Sequence, residues 1–167
     1  GGKSLLGPQS TGLLVGRGDL IAACAANGNP FATVGRPMKV SSEEVIGFLK
    51  ALESYLARDH EGDRARWQAQ VRRVEEALAG LPGIELQHLI KCGTYDVPLL
   101  GVRPLPGAGF TRSDIFSALE AGEPMVMVSE GYADDHVVIN PHMLEPGQEE
   151  VVASRCAEVI RQLGQQG

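Results

Sequence analysis

The change of period at Leu81-Pro82-Gly83 limits what this chain can fold into more than any other feature. Between residues 41 and 80, apolar residues recur at the three- and four-residue spacing of helices. Val45, Ile46, Leu49, Leu52, Tyr55 and Leu56 make one stripe, and Trp67, Val71, Val74 and Leu78 make another. Ser41 opens the first helix with a capping box, its hydroxyl serving the Glu44 amide while the Glu44 carboxylate reaches back. Asp59-His60-Glu61-Gly62-Asp63 reads as a polar break, and Gly80 with Pro82 ends the second helix. Beyond the boundary the pattern turns to short β runs at 84–90, 97–102, 125–128 and 136–139. A helix is expected over 111–121, capped by Thr111 with Asp114, and a last one over 147–163. This order predicts a small α/β layer with helices on one face. Trp67 and Cys156 fall on apolar stripes and are expected in the core.

Before Ser41 the chain is punctuated by glycine and proline. Gly1-Gly2-Lys3 leads into Gly7-Pro8-Gln9-Ser10-Thr11-Gly12, then Leu13-Leu14-Val15, closed by Gly16-Arg17. Residues 12–15 read as a short buried strand, 19–26 as a helix, and 27–39 as a loop. A lysine beside such small residues can sit deep in a cleft, where its amine attacks a carbonyl to form a Schiff base. Glycines let backbone amides approach a flat cofactor or a phosphate, and Gln9, Ser10 and Thr11 can donate hydrogen bonds. Arg36 stands in a Gly-Arg-Pro turn stiffened by Pro37, and its planar fork suits a carboxylate or a phosphate. Capping a carbonyl or pairing with a surface carboxylate stays open for it.

The net charge of −6 gives no support to a nucleic-acid partner, which needs clustered Lys and Arg. Arg64, Arg66, Arg72 and Arg73 are followed by Glu75 and Glu76 and read as a solvated helix face. Cys24, Cys92 and Cys156 form no Cys-x-x-Cys pair, and His60, His88, His136 and His142 show no ligand spacing, so no metal is expected. Asp134-Asp135-His136 reads as a solvated turn between strands. No apolar run reaches membrane-spanning length, and the balanced composition is that of a folded cytoplasmic protein.

The string from Gly1 to Arg17 resembles the lysine segment of the selenocysteine-synthase-like, D-glucosaminate-6-phosphate ammonia-lyase-like family of fold type I pyridoxal-phosphate enzymes. Two further strings resemble the same family. One is Gly35-Arg36-Pro37-Met38-Lys39-Val40; the other joins Gly122-Glu123-Pro124 to Ile139-Asn140-Pro141-His142-Met143-Leu144 and Pro146-Gly147-Gln148-Glu149. The resemblance implies the carboxy-terminal small domain, an α/β layer, of an aspartate-aminotransferase-like fold, plus the last strand and helix of the large domain. It assigns 1–40 to the lysine loop and the end of the large domain, 41–80 to connecting helices, and 81–167 to the small domain. Lys3 is then the Schiff-base residue for pyridoxal 5′-phosphate. Gln9, Ser10 and Thr11 lie near the cofactor phosphate, and Arg36 holds a substrate carboxylate or phosphate.

In that family a large cofactor domain precedes the lysine. The chain is therefore expected to be the carboxy-terminal part of a longer, homo-oligomeric enzyme, inactive without that domain. Its core is expected between about residues 41 and 163, with the lysine segment packed less completely. The implied activity is a lyase performing β-elimination and deamination of a small amino acid, phosphorylated or not. Two alternatives stay open: an L-seryl-tRNA selenium transferase-like enzyme, and a non-catalytic dimerisation or binding module.

Overall fold

A computed structural model describes residues 1–91, 96–129 and 135–165. Cys92 and Asp134 lie outside the described residues. The chain divides into two compact units, Gly1–Asp59 and His60–Gly167. The division falls between the two helices that the sequence reading groups as 41–80.

The second unit holds α3 (His60–Leu78), β1 (Ile84–Lys91), β2 (Val97–Pro104), α4 (Arg112–Glu120), β3 (Val137–Ile139) and α5 (Gln148–Gly164). Its strands form one antiparallel sheet in the order β1-β2-β3, with Ile84 opposite Pro104 and Leu100 opposite Ile139. Because side chains alternate along a strand, Leu100 and Val102 of β2 enter one cluster and Val97 and Leu99 another. The larger cluster joins Leu100 and Val102 to Val71, Val74 and Leu78 of α3, to α4 through Ile115 and Leu119, and to α5 through Val152, Cys156, Val159 and Ile160. Trp67 and Cys156 are both buried, as their stripe positions predict. Burying a side chain of the size of Leu100, which is wholly inaccessible, contributes about 2–3 kcal/mol.

Two elements of this unit differ from expectation. The polar stretch after Asp59 belongs to α3, where Glu61 and Asp63 lie in the first turn. Carboxylates there interact favourably with the exposed amides of a helix start, so the polarity marks a helix beginning rather than a break. The expected strand at 125–128 forms no ladder. The Val126 amide donates to the Leu119 carbonyl at 3.0 Å, and only Ser129 bridges to Val138. An amide engaged with α4 cannot also pair with β3. The last helix and the Thr111–Asp114 capping box are found as expected.

The first unit holds a 3-10 turn (Gly2–Leu5), α1 (Gly18–Ala26), a second 3-10 turn (Arg36–Met38) and α2 (Ser42–Leu56). The capping box of α2 is complete, with Glu44 N donating to Ser41 Oγ at 3.2 Å and Ser41 N donating to Glu44 Oε2 at 3.0 Å. The strand expected at 12–15 is absent. An extended segment becomes a strand only by pairing, and no described residue of this unit pairs with it; Leu14 and Val15 are 71% and 80% exposed. The apolar stripe of α2 is likewise open, with Ile46 and Leu56 exposed and only Phe48 buried. Apart from Phe48 the buried apolar residues begin at Trp67, later than the expected start near residue 41. No helix among the described residues is long and apolar enough to cross a membrane.

Candidate functional site

Lys3 stands in the 3-10 turn Gly2–Leu5, at the head of a loop closed on itself by backbone hydrogen bonds. Gly2 N donates to Thr11 O at 2.8 Å, Gly7 N to Gly2 O at 2.9 Å, and Leu6 N to Lys3 O at 3.1 Å. Gly2 is buried, and a Cβ there would run into both Thr11 Oγ1 and the Pro8 carbonyl oxygen. The loop therefore closes this tightly only with glycine at that position. Its other side rests on α2. A Cβ on Gly7 would lie 2.9 Å from Ala51 Cβ, and one on Gly47 would lie 3.0 Å from Pro8 Cγ.

The side chains expected around a cofactor have distinct placements. Lys3 and Gln9 are exposed. Thr11 is buried and its hydroxyl donates to the Pro8 carbonyl at 2.6 Å. Ser10 donates its hydroxyl to Glu44 Oε1, the carboxylate whose second oxygen caps α2. The Ser10 hydroxyl, with the Ser41 amide, holds the Glu44 carboxyl below its ordinary value. Glu44 is the residue that sequence reasoning missed in this role. Its capping position was legible, but its partner Ser10 is 34 residues away and carries no local signal.

Arg36 opens the second 3-10 turn and is exposed. Gly35 before it donates to Asn27 O at 2.8 Å, in contact too close for a Cβ, and Arg36 N donates to Thr33 O at 3.0 Å. Neither Lys3 nor Arg36 makes a side-chain hydrogen bond or ion pair with another described residue. The structure thus gathers Lys3, Gln9, Ser10 and Thr11 into one loop and places Arg36 on a separate hydrogen-bonded turn.

Shallow clefts lie among the described residues of the second unit. One of about 370 Å³ is lined by Arg64, Gln68, Ile90, Asp96 and Pro98. Another, about 520 Å³, lies along the glycine-rich connection after β2 and reaches Asp135. None of the expected site residues lines either cleft. Asp135 and His136 are in contact, Oδ1 to Nδ1 at 2.7 Å. His136 is buried over Gly101, so of the two described residues of the stretch read as a solvated turn Asp135 is exposed and His136 is not.

No protein-family model matches the chain. It is similar to a 5′-C-glycyluridine monooxygenase-decarboxylase from a Streptomyces species, 28% identical over 162 residues, covering 95% of this chain and 40% of the relative. It is also similar to the D-glucosaminate-6-phosphate ammonia lyase of Salmonella typhimurium (strain 14028s / SGSC 2262), 26% identical over 163 residues, covering 95% and 42%. The chain thus spans about two fifths of the length of the curated relatives it matches. A solved D-glucosaminate-6-phosphate ammonia-lyase structure superposes with a TM-score of 0.56 at 21% identity, over 89% of this chain and 39% of that one. That likeness concerns the fold, a mixed α/β domain built on a three-stranded antiparallel sheet. These relatives are enzymes, and they support a family that includes a lyase.

Proposed function

We propose that this chain is the lysine-bearing part of a pyridoxal 5′-phosphate-dependent lyase that removes ammonia from a small amino acid, within an aspartate-aminotransferase-like fold. The observation that carries the reading is Lys3, an exposed amine on a glycine-closed turn, in a chain similar over 95% of its length to an ammonia lyase.

The residues present fit a covalent anchor better than a phosphate pocket. Lys3 offers a primary amine on a backbone held by several hydrogen bonds, which suits attachment to an aldehyde. The Ser10 and Thr11 hydroxyls already donate to Glu44 and Pro8, which leaves the Gln9 amide and loop N–H groups as the donors for a phosphate. When bound, the cofactor supplies a ring that takes up the negative charge left at the substrate α carbon. The Lys3 amine would take up and hand on the substrate's α proton. Arg36 holds the carboxylate or phosphate of the substrate in its planar fork. The remaining cofactor contacts come from protein outside this chain, a large domain and a second copy, so the chain alone is expected to be inactive.

The test is ammonia release by the full-length protein from candidate amino acids, with Lys3→Ala as the control. The reading expects release that Lys3→Ala abolishes; a Lys3→Ala variant with unchanged release contradicts it. A second reading is favoured by the Streptomyces relative, whose name describes an oxidative decarboxylation of a glycyluridine. Oxygen uptake with carbon dioxide release, in place of ammonia alone, would favour it. Transfer to a charged tRNA would favour the selenium-transferase alternative, and the absence of all these activities the non-catalytic module.

A further inference from the structure

We propose that Glu44 is a positioning residue for Lys3, acting through Ser10 to fix the lysine loop against α2. The proposal rests on the reading of Lys3 as the cofactor anchor.

Three observations converge on it. The Glu44 carboxylate is used at both oxygens, Oε1 accepting from the Ser10 hydroxyl and Oε2 accepting from the Ser41 amide at 3.0 Å. The loop carrying Ser10 is closed back to the lysine turn, because the next residue, Thr11, accepts the Gly2 amide through its carbonyl at 2.8 Å. Loop and helix approach closely at two points where one partner is a glycine, Gly7 against Ala51 and Gly47 against Pro8. A loop lying this near a helix can still slide along it. A hydrogen bond to a charged carboxylate supplies a directional tie that apolar contact lacks. Ordinary helix capping needs only the Ser41 half of this network. The Ser10 half serves the loop.

The roles separate by substitution in the full-length protein. Glu44→Gln keeps an acceptor and donor of the same shape for the cap but removes the charge. Ser10→Ala removes only the loop hydroxyl, at an exposed position whose loss leaves the fold intact. Ser41→Ala removes the cap hydroxyl and leaves the Ser10 bond. Two readouts apply: the rate at which pyridoxal phosphate with borohydride labels Lys3, and hydrogen exchange of the peptide spanning residues 3–11. Loss of one charge-assisted bond is expected to change both by roughly three- to tenfold in Glu44→Gln and Ser10→Ala, with the double variant no worse than either single one. Ser41→Ala should leave both within about twofold while lowering helix stability. Wild-type labelling and exchange in Ser10→Ala overturns the proposal, as does an equal effect in Ser41→Ala. If Lys3 is never labelled in the wild-type protein, the cofactor reading fails, and the exchange data still decide whether Glu44 holds the loop.

Discussion

Gly2 and Thr11 occupy one another's space: the side chain that Gly2 lacks would fall on the Thr11 hydroxyl and on the carbonyl it serves. The lysine turn is closed by this fit, since the Gly2 amide donates to the Thr11 carbonyl beside it. Gly2→Ala must push the Pro8 carbonyl aside, and such overpacking commonly costs about 1–3 kcal/mol. The expected outcome is faster hydrogen exchange throughout residues 3–11 and slower covalent labelling of Lys3. A Gly2→Ala variant with wild-type exchange would show that the loop closes by other means.

Glu44 makes the tie between loop and helix dependent on pH. The Ser10 hydroxyl and the Ser41 amide stabilise its charged form, so its folded-state value lies below the ordinary 4.5. A depressed carboxyl contributes stability fully above its unfolded value and loses it as pH falls through the folded one. Protection of residues 3–11 should therefore persist at neutral pH and decline on acidification below about 4.5, where carboxylates take up protons. Ser10→Ala should move the Glu44 midpoint upward, as carboxyl chemical shifts would show; an unchanged midpoint contradicts the Ser10 contact.

The local signals were legible in the sequence because their physics is local. Both capping boxes, at Ser41 and Thr111, join residues three apart and were readable from residue type alone. The α3 and α5 stripes found their core because a sheet lies beneath them. The α2 stripe had the same spacing yet stays open, since periodicity reports a face and not what covers it. Leu13-Leu14-Val15 failed as a strand for the same reason, needing a neighbour that composition cannot supply. In the site, Lys3, Gln9, Ser10 and Thr11 fall within nine residues and were visible, whereas the Ser10–Glu44 contact exists only once the loop folds back on α2.

Cys156 tests the interior of the second unit. Burial pushes its thiol up to about 12, so it stays a neutral thiol across the ordinary range of pH. Exposed Cys24 should be alkylated by iodoacetamide at a pH of about 8 in the native protein while Cys156 is not. Alkylation of both at equal rates would contradict the packing of α5.

Arg36→Lys separates substrate binding from cofactor attachment. An ammonium cannot reproduce a bidentate fork, and losing such a contact should lower kcat/KM by roughly thirtyfold while Lys3 labelling is unchanged. A wild-type kcat/KM would return Arg36 to a structural role.

The central claim is that Lys3 is the covalent anchor, and its most direct test is mapping the attachment itself. The full-length protein is loaded with pyridoxal 5′-phosphate, reduced with borohydride and digested, and the tagged peptide is sequenced by mass spectrometry. The account predicts a single stoichiometric tag on Lys3, lost in Lys3→Ala. A tag on any other lysine, with Lys3 unmodified, would contradict it.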